Sequence, residues 1–339
     1  MIVRVFNCIT YKSSVNFGYK VYVEGLLNLF TNDDTMFILP KGEEYVKKYI
    51  GQIGSNARVL FIGKTIFWTA SLRFKLKKYN PTFVYHTMNY GLLVGDPKVV
   101  DVIIIHDLKW RHLGFHASFA RRLQRYLFMK IAANLKNRFV AISDWTAYDY
   151  LCHTGKIIDG IIPNYVSLEI SENSVNNKSN SRPYVLAVSA NEKYKDLNYL
   201  EESFHLSRLN VSHQLFIVSR NYVKSNKATV VLSNLNNHEI NNLVRNSDCI
   251  AIPSLFEGFG FPYYEGLIRG KKVFSFANPV ALQIEKSNES FSTYNKVDRH
   301  LKDLFDEIII KNSPNSDMSV PSKEMLLNMY LEFEFKCSS

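Results

Sequence analysis

Cysteine is scarce in this chain and never clustered. Four occur among 339 residues, Cys8, Cys152, Cys249 and Cys337, with no Cys-x-x-Cys pair. That excludes a disulfide framework and a zinc site of the usual spacing. Long apolar runs are missing too: nothing approaches the roughly 18 consecutive apolar residues that a spanning helix needs. The opening Met1-Ile2-Val3-Arg4-Val5-Phe6 reads as a strand, without an apolar leader or cleavage pattern. These absences predict a cytoplasmic protein, or one held peripherally on the inner face of the cytoplasmic membrane. Acidic residues are sparse in the first half. Residues 1–165 hold 22 Lys and Arg against 11 Asp and Glu, and the remainder holds 19 against 20. The basic excess therefore lies wholly in the N-terminal half. Nucleic acid would be drawn to such a face, but no recognition helix, zinc finger or aromatic RNA-binding signature accompanies it. An anionic membrane surface, or a phosphate-bearing acceptor, fits better.

What is present suits two domains. A chain of 339 residues exceeds what one core usually serves, and a 46% hydrophobic content can fill two. The 23 Phe and 20 Tyr could serve core, sugar-stacking surface or interface, and composition does not separate these. Apolar runs at 2–9, 59–62, 83–85, 99–105 and 139–142 alternate with helical stretches, as a parallel sheet with crossover helices requires. Residues 118–137 carry apolar side chains at helical spacing beside Arg121, Arg122, Arg125, Lys130 and Lys136. That face is either solvated or turned to a membrane. The polar stretch 172–183 reads as an exposed linker. A second α/β set follows, with strands at 184–188, 214–218, 229–232, 249–252 and 272–276. The pattern weakens between 286 and 321, and 322–335 reads as a helix. The expected division is 1–170, a linker 171–183, a second domain 184–320, and a terminal helix 321–339 that packs back on the first.

The most informative stretch runs from Glu257 to Glu265, with Gly258-Phe259-Gly260-Phe261-Pro262 following the first glutamate. It follows the buried-strand run Cys249-Ile250-Ala251-Ile252, and Pro262 has the fixed φ of a first helical turn. The reading is strand, glycine loop, helix N-terminus, with one carboxylate on the loop and one in the first turn. Glycines allow close backbone approach, and free N–H groups at a helix start attract anions. Carboxylates are natural acceptors for sugar hydroxyls. The combination suits a nucleotide sugar.

This stretch resembles the Glu-x7-Glu signature of retaining glycosyltransferases of family 4, which have the GT-B fold. Other pieces stand in that family's order. Val102-Ile103-Ile104-Ile105-His106-Asp107-Leu108 resembles its N-terminal strand and His-Asp-Leu turn. Phe139-Val140-Ala141-Ile142-Ser143-Asp144-Trp145 is similar to the strand that ends in a helix-opening serine. Val185-Leu186-Ala187-Val188-Ser189, with Lys193-Tyr194-Lys195-Asp196-Leu197, resembles the first donor-domain strand and its Arg-Lys-Asn turn. The resemblance implies an α/β protein of two Rossmann-like domains facing a central cleft. The N-terminal domain would bind the acceptor and the C-terminal domain the donor.

It also implies roles. Glu257 would meet donor-sugar hydroxyls and Glu265 the ribose, with Gly258, Phe259, Gly260 and Phe261 supplying backbone N–H groups. Lys195 would contact the diphosphate. Tyr194 replaces the usual arginine there, so either one of two expected cations is missing or Lys193 substitutes from the neighbouring position, and Ser189 stands where some members have arginine or glycine. His106 would meet the donor sugar. Gly18, His86 and Asn89 would lie on the acceptor side, and Asn164 precedes Tyr165 where members often have Asn-Gly. No Asp-x-Asp occurs, so no metal and no cofactor are expected. The implied reaction moves a hexosyl group from a nucleotide diphosphate sugar, leaning to GDP-mannose, to a growing, lipid-linked surface glycan such as lipopolysaccharide. The alternatives are a GT-B epimerase or hydrolase, and a non-catalytic nucleotide-sugar-binding partner of another transferase.

Overall fold

Short β-branched and aromatic runs separated by helix-length segments favour parallel strands joined by crossover helices. In the computed structural model every strand pairing among the described residues is parallel. The described residues are 3–11, 17–43, 45–63, 68–87, 89, 96–112, 119–135, 137–166, 182–189, 192–295, 301–308 and 321–338. They form two units, Met1–Ser167 with Pro321–Ser339, and Leu168–Val320. Each sheet is α/β in kind, parallel and flanked by helices, which is the architecture expected from the sequence.

Unit 1 contains strands β1 (Arg4–Asn7), β2 (Thr35–Pro40), β3 (Arg58–Ile62), β4 (Phe83–His86), β5 (Val100–Ile105), β6 (Arg138–Ala141) and β7 (Gly160–Ile161). They are ordered β3-β2-β1-β4-β5-β6-β7. Its helices are α1 (Phe17–Leu29), α2 (Tyr45–Gln52), α3 (Trp68–Leu76), α4 (Lys109–His112), α5 (Phe119–Asn134) and α6 (Asp144–Thr154). β1 and β2 are buried along their whole lengths, as a sheet covered on both faces requires. One cluster packs Val5, Ile38 and Val84 against Leu72 and Leu76 of α3. Another packs Ile103, Ile105 and Phe139 against Met129 and Ala133 of α5 and Tyr150 of α6.

Unit 2 orders its strands β10-β9-β8-β11-β12-β13. They are β8 (Tyr184–Val188), β9 (Gln214–Val218), β10 (Val230–Leu232), β11 (Cys249–Ile252), β12 (Lys272–Phe276) and β13 (Phe291–Tyr294). Helices α7 (Leu197–Leu206), α8 (Leu209–Ser212), α9 (Asn237–Asn246), α10 (Phe261–Leu267), α11 (Pro279–Glu285) and α12 (Leu301–Ile308) flank them. Val185, Leu215, Ile217 and Ala251 form its core with Leu200, Phe204, Leu304 and Phe305.

The last helix, α13 (Lys323–Ser338), belongs to unit 1. Tyr330 stands edge-on to Phe6, Phe30 and Tyr85. Glu334 takes a two-point bond from Arg4 of β1, at 2.6 and 2.7 Å, and a third from Tyr85 Oη at 2.9 Å.

Within the expected run 2–9, whose first residue lies outside the described residues, the strand is Arg4–Asn7, and the structure adds β2, β7 and β13, which the apolar pattern does not announce. β7 is only two residues long, and β13 lies where the sequence pattern fades. Of the expected linker, residues 171–181 lie outside the described residues. No helix among the described residues is long and apolar enough to cross a membrane.

Candidate active site

In unit 2 the glycine loop leaves β11, turns through 253–260 and enters α10. Gly260 caps the helix with φ +82°, a left-handed conformation that disfavours side chains. A Cβ there would meet Tyr263 Cδ2 at 2.2 Å. The loop is braced from below. Tyr263 Oη accepts from Ser275 Oγ and from Asn278 Nδ2, each at 2.8 Å. Asn278 Nδ2 also donates to the Ser254 carbonyl at 2.9 Å, while Asn278 Oδ1 caps α11. The rings of Phe259 and Phe261 pack against each other and are buried. Of these two residues, then, the backbone rather than the side chain is left to meet a ligand.

Lys195 closes the neighbouring 3-10 turn, Lys193–Lys195. Its Nζ donates to Glu257 Oε1, and both side chains are largely buried, 13% and 14% exposed. The expected diphosphate cation and the expected sugar-binding carboxylate are thus brought into one ion pair. Nζ also lies 5.2 Å from the ring centroid of Tyr194. Tyr194 is buried and its carbonyl accepts from Leu255 N–H at 2.8 Å. The residue in the usual arginine's place therefore supports Lys195 and the loop and adds no charge. The side chain of Lys193 lies outside the described residues. Ser189, at the end of β8, is tied to the sheet through its N–H to the Val218 carbonyl at 3.1 Å.

Glu265 sits one turn into α10. Burial raises its carboxyl pKa to about 7, against the opposing pull of Arg269. Arg269 does not pair with that carboxyl. Its guanidinium donates to the Glu265 carbonyl at 2.7 Å and to Asn241 Oδ1 at 2.9 Å. No described residue donates a hydrogen bond to the carboxyl, which is poised for donors from elsewhere.

In unit 1 the C-terminal ends of β1, β4 and β5 converge. His106 follows β5, with Tyr22 edge-on at 4.5 Å and Tyr19 at 6.0 Å. Burial lowers its pKa to about 4, and a hydrogen bond to the Thr87 backbone opposes that only in part. The ring is therefore neutral near pH 7. Its Nε2 is buried and has no partner; with the ring proton on Nδ1 this nitrogen carries a lone pair. Such a nitrogen accepts from a hydroxyl.

Two expected acceptor-side residues do different work. His86 is fully buried, with Nδ1 3.1 Å from Asn7 Nδ2 and Nε2 3.0 Å from Asp101 Oδ1. Asp101 in turn pairs with Arg73. Both ring nitrogens are taken, so His86 joins β1, β4 and β5 rather than facing a ligand. Asn89 Oδ1 accepts from His106 N–H at 2.8 Å and its Nδ2 donates to the Asp107 carbonyl at 2.7 Å. It holds the loop that carries His106. Gly18 lies exposed in the first turn of α1 with open space around it, so packing does not require a glycine there. Asn164 is buried and its Oδ1 has no partner. Sequence reasoning missed Thr87, whose Oγ1 lies 2.5 Å from Tyr19 Oη and donates to the Asn7 carbonyl at 2.8 Å. It also missed the Tyr263–Asn278 brace. Only Asn278-Pro279, a helix-opening pair, could have signalled it. No three His, Cys, Asp or Glu side chains converge as metal ligands among the described residues.

The two α/β units with these strand orders define a GT-B architecture. Residues 170–324 match the family model described as glycosyl transferases group 1. Solved structures with this fold include HepE of Anabaena in complex with UDP-glucose, at 14% identity and TM-score 0.68, covering 100% of this chain and 95% of that one. WaaG, a glycosyltransferase involved in lipopolysaccharide biosynthesis, aligns at 11% identity and TM-score 0.64 over 98% and 93%. A glycosyltransferase from Rickettsia africae aligns at 15% and 0.61 over 100% and 99%. No curated protein matches the chain in sequence. Together the family model and the shared fold support a GT-B glycosyltransferase.

Proposed function

We propose that the chain transfers a hexosyl group, with retained configuration, from a nucleoside diphosphate sugar to a growing lipid-linked glycan. The observation that carries this reading is the Lys195–Glu257 pair beside the glycine loop, with the Glu265 carboxyl unpaired one helical turn on. Negative charge builds on the departing diphosphate, and a fixed cation and backbone N–H groups stabilise it. Lys195 supplies that cation, so the reaction needs no metal. Glu257 accepts from the sugar hydroxyls and Glu265 from the ribose diol. His106 offers its Nε2 lone pair to a further donor-sugar hydroxyl.

The acceptor belongs to the basic N-terminal half. Exposed Leu123, Leu127 and Ile131 lie four residues apart on α5, which also carries Arg122, Arg125 and Lys130. This supports peripheral attachment to an anionic membrane, where a lipid-linked acceptor resides. HepE was solved with UDP-glucose, so UDP-sugars join GDP-mannose as donor candidates.

A thermal-shift panel of GDP-, UDP- and dTDP-sugars tests the reading, because a ligand that binds only the native state raises its apparent stability. One donor should raise the midpoint, and Glu257→Gln should abolish transfer from it. No shift with any donor overturns the proposal. Rapid release of nucleotide without acceptor would favour a hydrolase or epimerase, and donor binding with no turnover on any acceptor a non-catalytic partner.

A further inference from the structure

Unit 1 gathers its positive charge on one side of its sheet. Val84 of β4 stands level with Asp101 of β5, and alternate residues of a strand share a face, so Val84, Asp101, Ile103 and Ile105 point the same way. Leu72 and Leu76 of α3 pack on Val84, while Met129 and Ala133 of α5 pack on Ile103 and Ile105. Arg73 of α3 pairs with Asp101 on that side. α3 and α5 therefore cover one face of the sheet, α3 over β1, β2 and β4 and α5 over β5 and β6.

Both crossovers are free of acid. Residues 63–82, which carry α3, hold five Lys and Arg, and residues 108–137, which carry α5, hold seven, with no Asp or Glu in either. Some of these cations are spent inside the fold, Arg73 on Asp101 and Arg111 on Asp149. Lys75, Lys77, Lys78 and Arg125 are exposed. On the opposite face Tyr330 of α13 meets Phe6 and Tyr85, and that helix carries Glu324, Glu332 and Glu334.

An outward phenyl ring stands among the lysines. Phe74 is 75% exposed, although Leu72 and Leu76 on either side of it are buried. Phe335 of α13 is 77% exposed, so exposure alone does not single out Phe74. The surroundings do: Phe335 shares its helix with three glutamates, whereas Phe74 is followed by Lys75, Lys77 and Lys78 with no acid nearby in sequence. A large apolar side chain flanked by cations matches the boundary of an anionic bilayer, where the ring enters the acyl region and the ammonium groups stay with the headgroups. Nucleic acid would meet the cations but leave Phe74 and the Leu123, Leu127 and Ile131 stripe without an apolar partner.

We propose that this whole face of unit 1 lies on an anionic lipid bilayer, with Phe74 and its lysines forming a second anchor beside the α5 stripe. The inference rests on the attachment through α5 proposed above and adds to it a second contact, and with it an orientation. A domain held by one helix rolls about that helix axis. A contact on a second helix of the same face stops the roll. The sheet then lies parallel to the bilayer, and the C-terminal strand ends, where His106 stands, open along the surface that holds a lipid-linked acceptor.

Flotation of the full chain with vesicles of phosphatidylcholine, with and without phosphatidylglycerol, tests it. The native protein should bind only the mixed vesicles, and Phe74→Ser should weaken that binding about tenfold as one aromatic ring leaves the interface. Lys77→Gln with Lys78→Gln should weaken it too and flatten its dependence on salt. Fluorescence of Phe74→Trp should be quenched by brominated acyl chains beyond the quenching seen in the native protein. Native affinity in both the Phe74→Ser and the double lysine variants overturns the second anchor and leaves attachment through α5 standing. No binding of the native protein to either vesicle overturns both, the result expected if a soluble acidic protein covers this face. Thermal shift with nucleotide sugars on the same variants separates the readings. Its loss in the native protein counts against the transferase, whereas a preserved shift with unchanged vesicle binding by Phe74→Ser counts against the anchor alone.

Discussion

Lys195 Nζ and Glu257 Oε1 form an ion pair across 62 residues of sequence, joining the turn after β8 to the loop after β11. The cation expected at the diphosphate is therefore occupied before any ligand arrives. Glu257→Gln removes both the competitor for Lys195 and a charge that repels phosphate. UDP affinity should rise about fivefold, corresponding to roughly 1 kcal/mol for one solvated charge contact, while transfer is lost. Lys195→Met should weaken UDP and lower kcat by about 100-fold or more. Calorimetric titration of both variants checks this, and weaker UDP binding by Glu257→Gln would contradict it.

The Glu265 carboxyl, raised to about 7 by burial, predicts a pH-dependent affinity. A ribose diol donates best to the ionised carboxylate, so binding lowers this pKa and releases a proton. Affinity should rise as pH increases toward about 7 and level off above it, since the free group is then already ionised. UDP-glucose is the suitable probe, because its phosphates do not titrate in that window. Calorimetry in buffers of different ionisation enthalpy should show proton release at pH 6; proton uptake or a flat profile would count against ribose binding by Glu265.

Gly260→Ala combines a left-handed backbone with a direct clash against Tyr263. The conformation alone costs about 1–3 kcal/mol for a residue with a side chain. The variant should lower the unfolding midpoint and weaken nucleotide-sugar binding, since relief of the clash moves the loop. An unchanged thermal midpoint with native affinity would show that the loop adapts freely.

The buried Arg4–Glu334 pair ties α13 to β1. Glu334→Ala leaves a buried guanidinium with only Asp34 as a charged partner and should cost about 3–5 kcal/mol. Replacing both by apolar residues, Arg4→Met with Glu334→Leu, should cost much less. Denaturant unfolding of the two variants measures the difference.

Attachment through α5 predicts salt-sensitive sedimentation with anionic vesicles and none with neutral ones. Each cation near such a surface contributes about 1 kcal/mol, so Arg122→Glu with Arg125→Glu should release the protein. Equal failure to bind both vesicle types at low salt would reject the membrane surface.

Much of this was legible along the chain because its signals are local. Buried parallel strands read as apolar runs, and the strand–glycine loop–helix sequence around Glu257 and Glu265 places both carboxylates within nine residues of each other. Period and turn chemistry read out the α/β class and the strand–glycine loop–helix stretch around Glu257 and Glu265. Tertiary structure decided which polar groups remain free, because that depends on partners far away in sequence. His86 reads like His106, each at the end of an apolar strand. Asp101, on the adjacent strand, takes one of the His86 nitrogens, and Asn7 takes the other. His106 leaves Nε2 without a partner, with the rings of Tyr22 and Tyr19 edge-on to it. β13 stayed hidden for the same reason, since a four-residue strand is defined by the neighbour it pairs with; the return of the terminal helix to the first domain was expected, but the arginine that meets its Glu334 from 330 residues away was not legible.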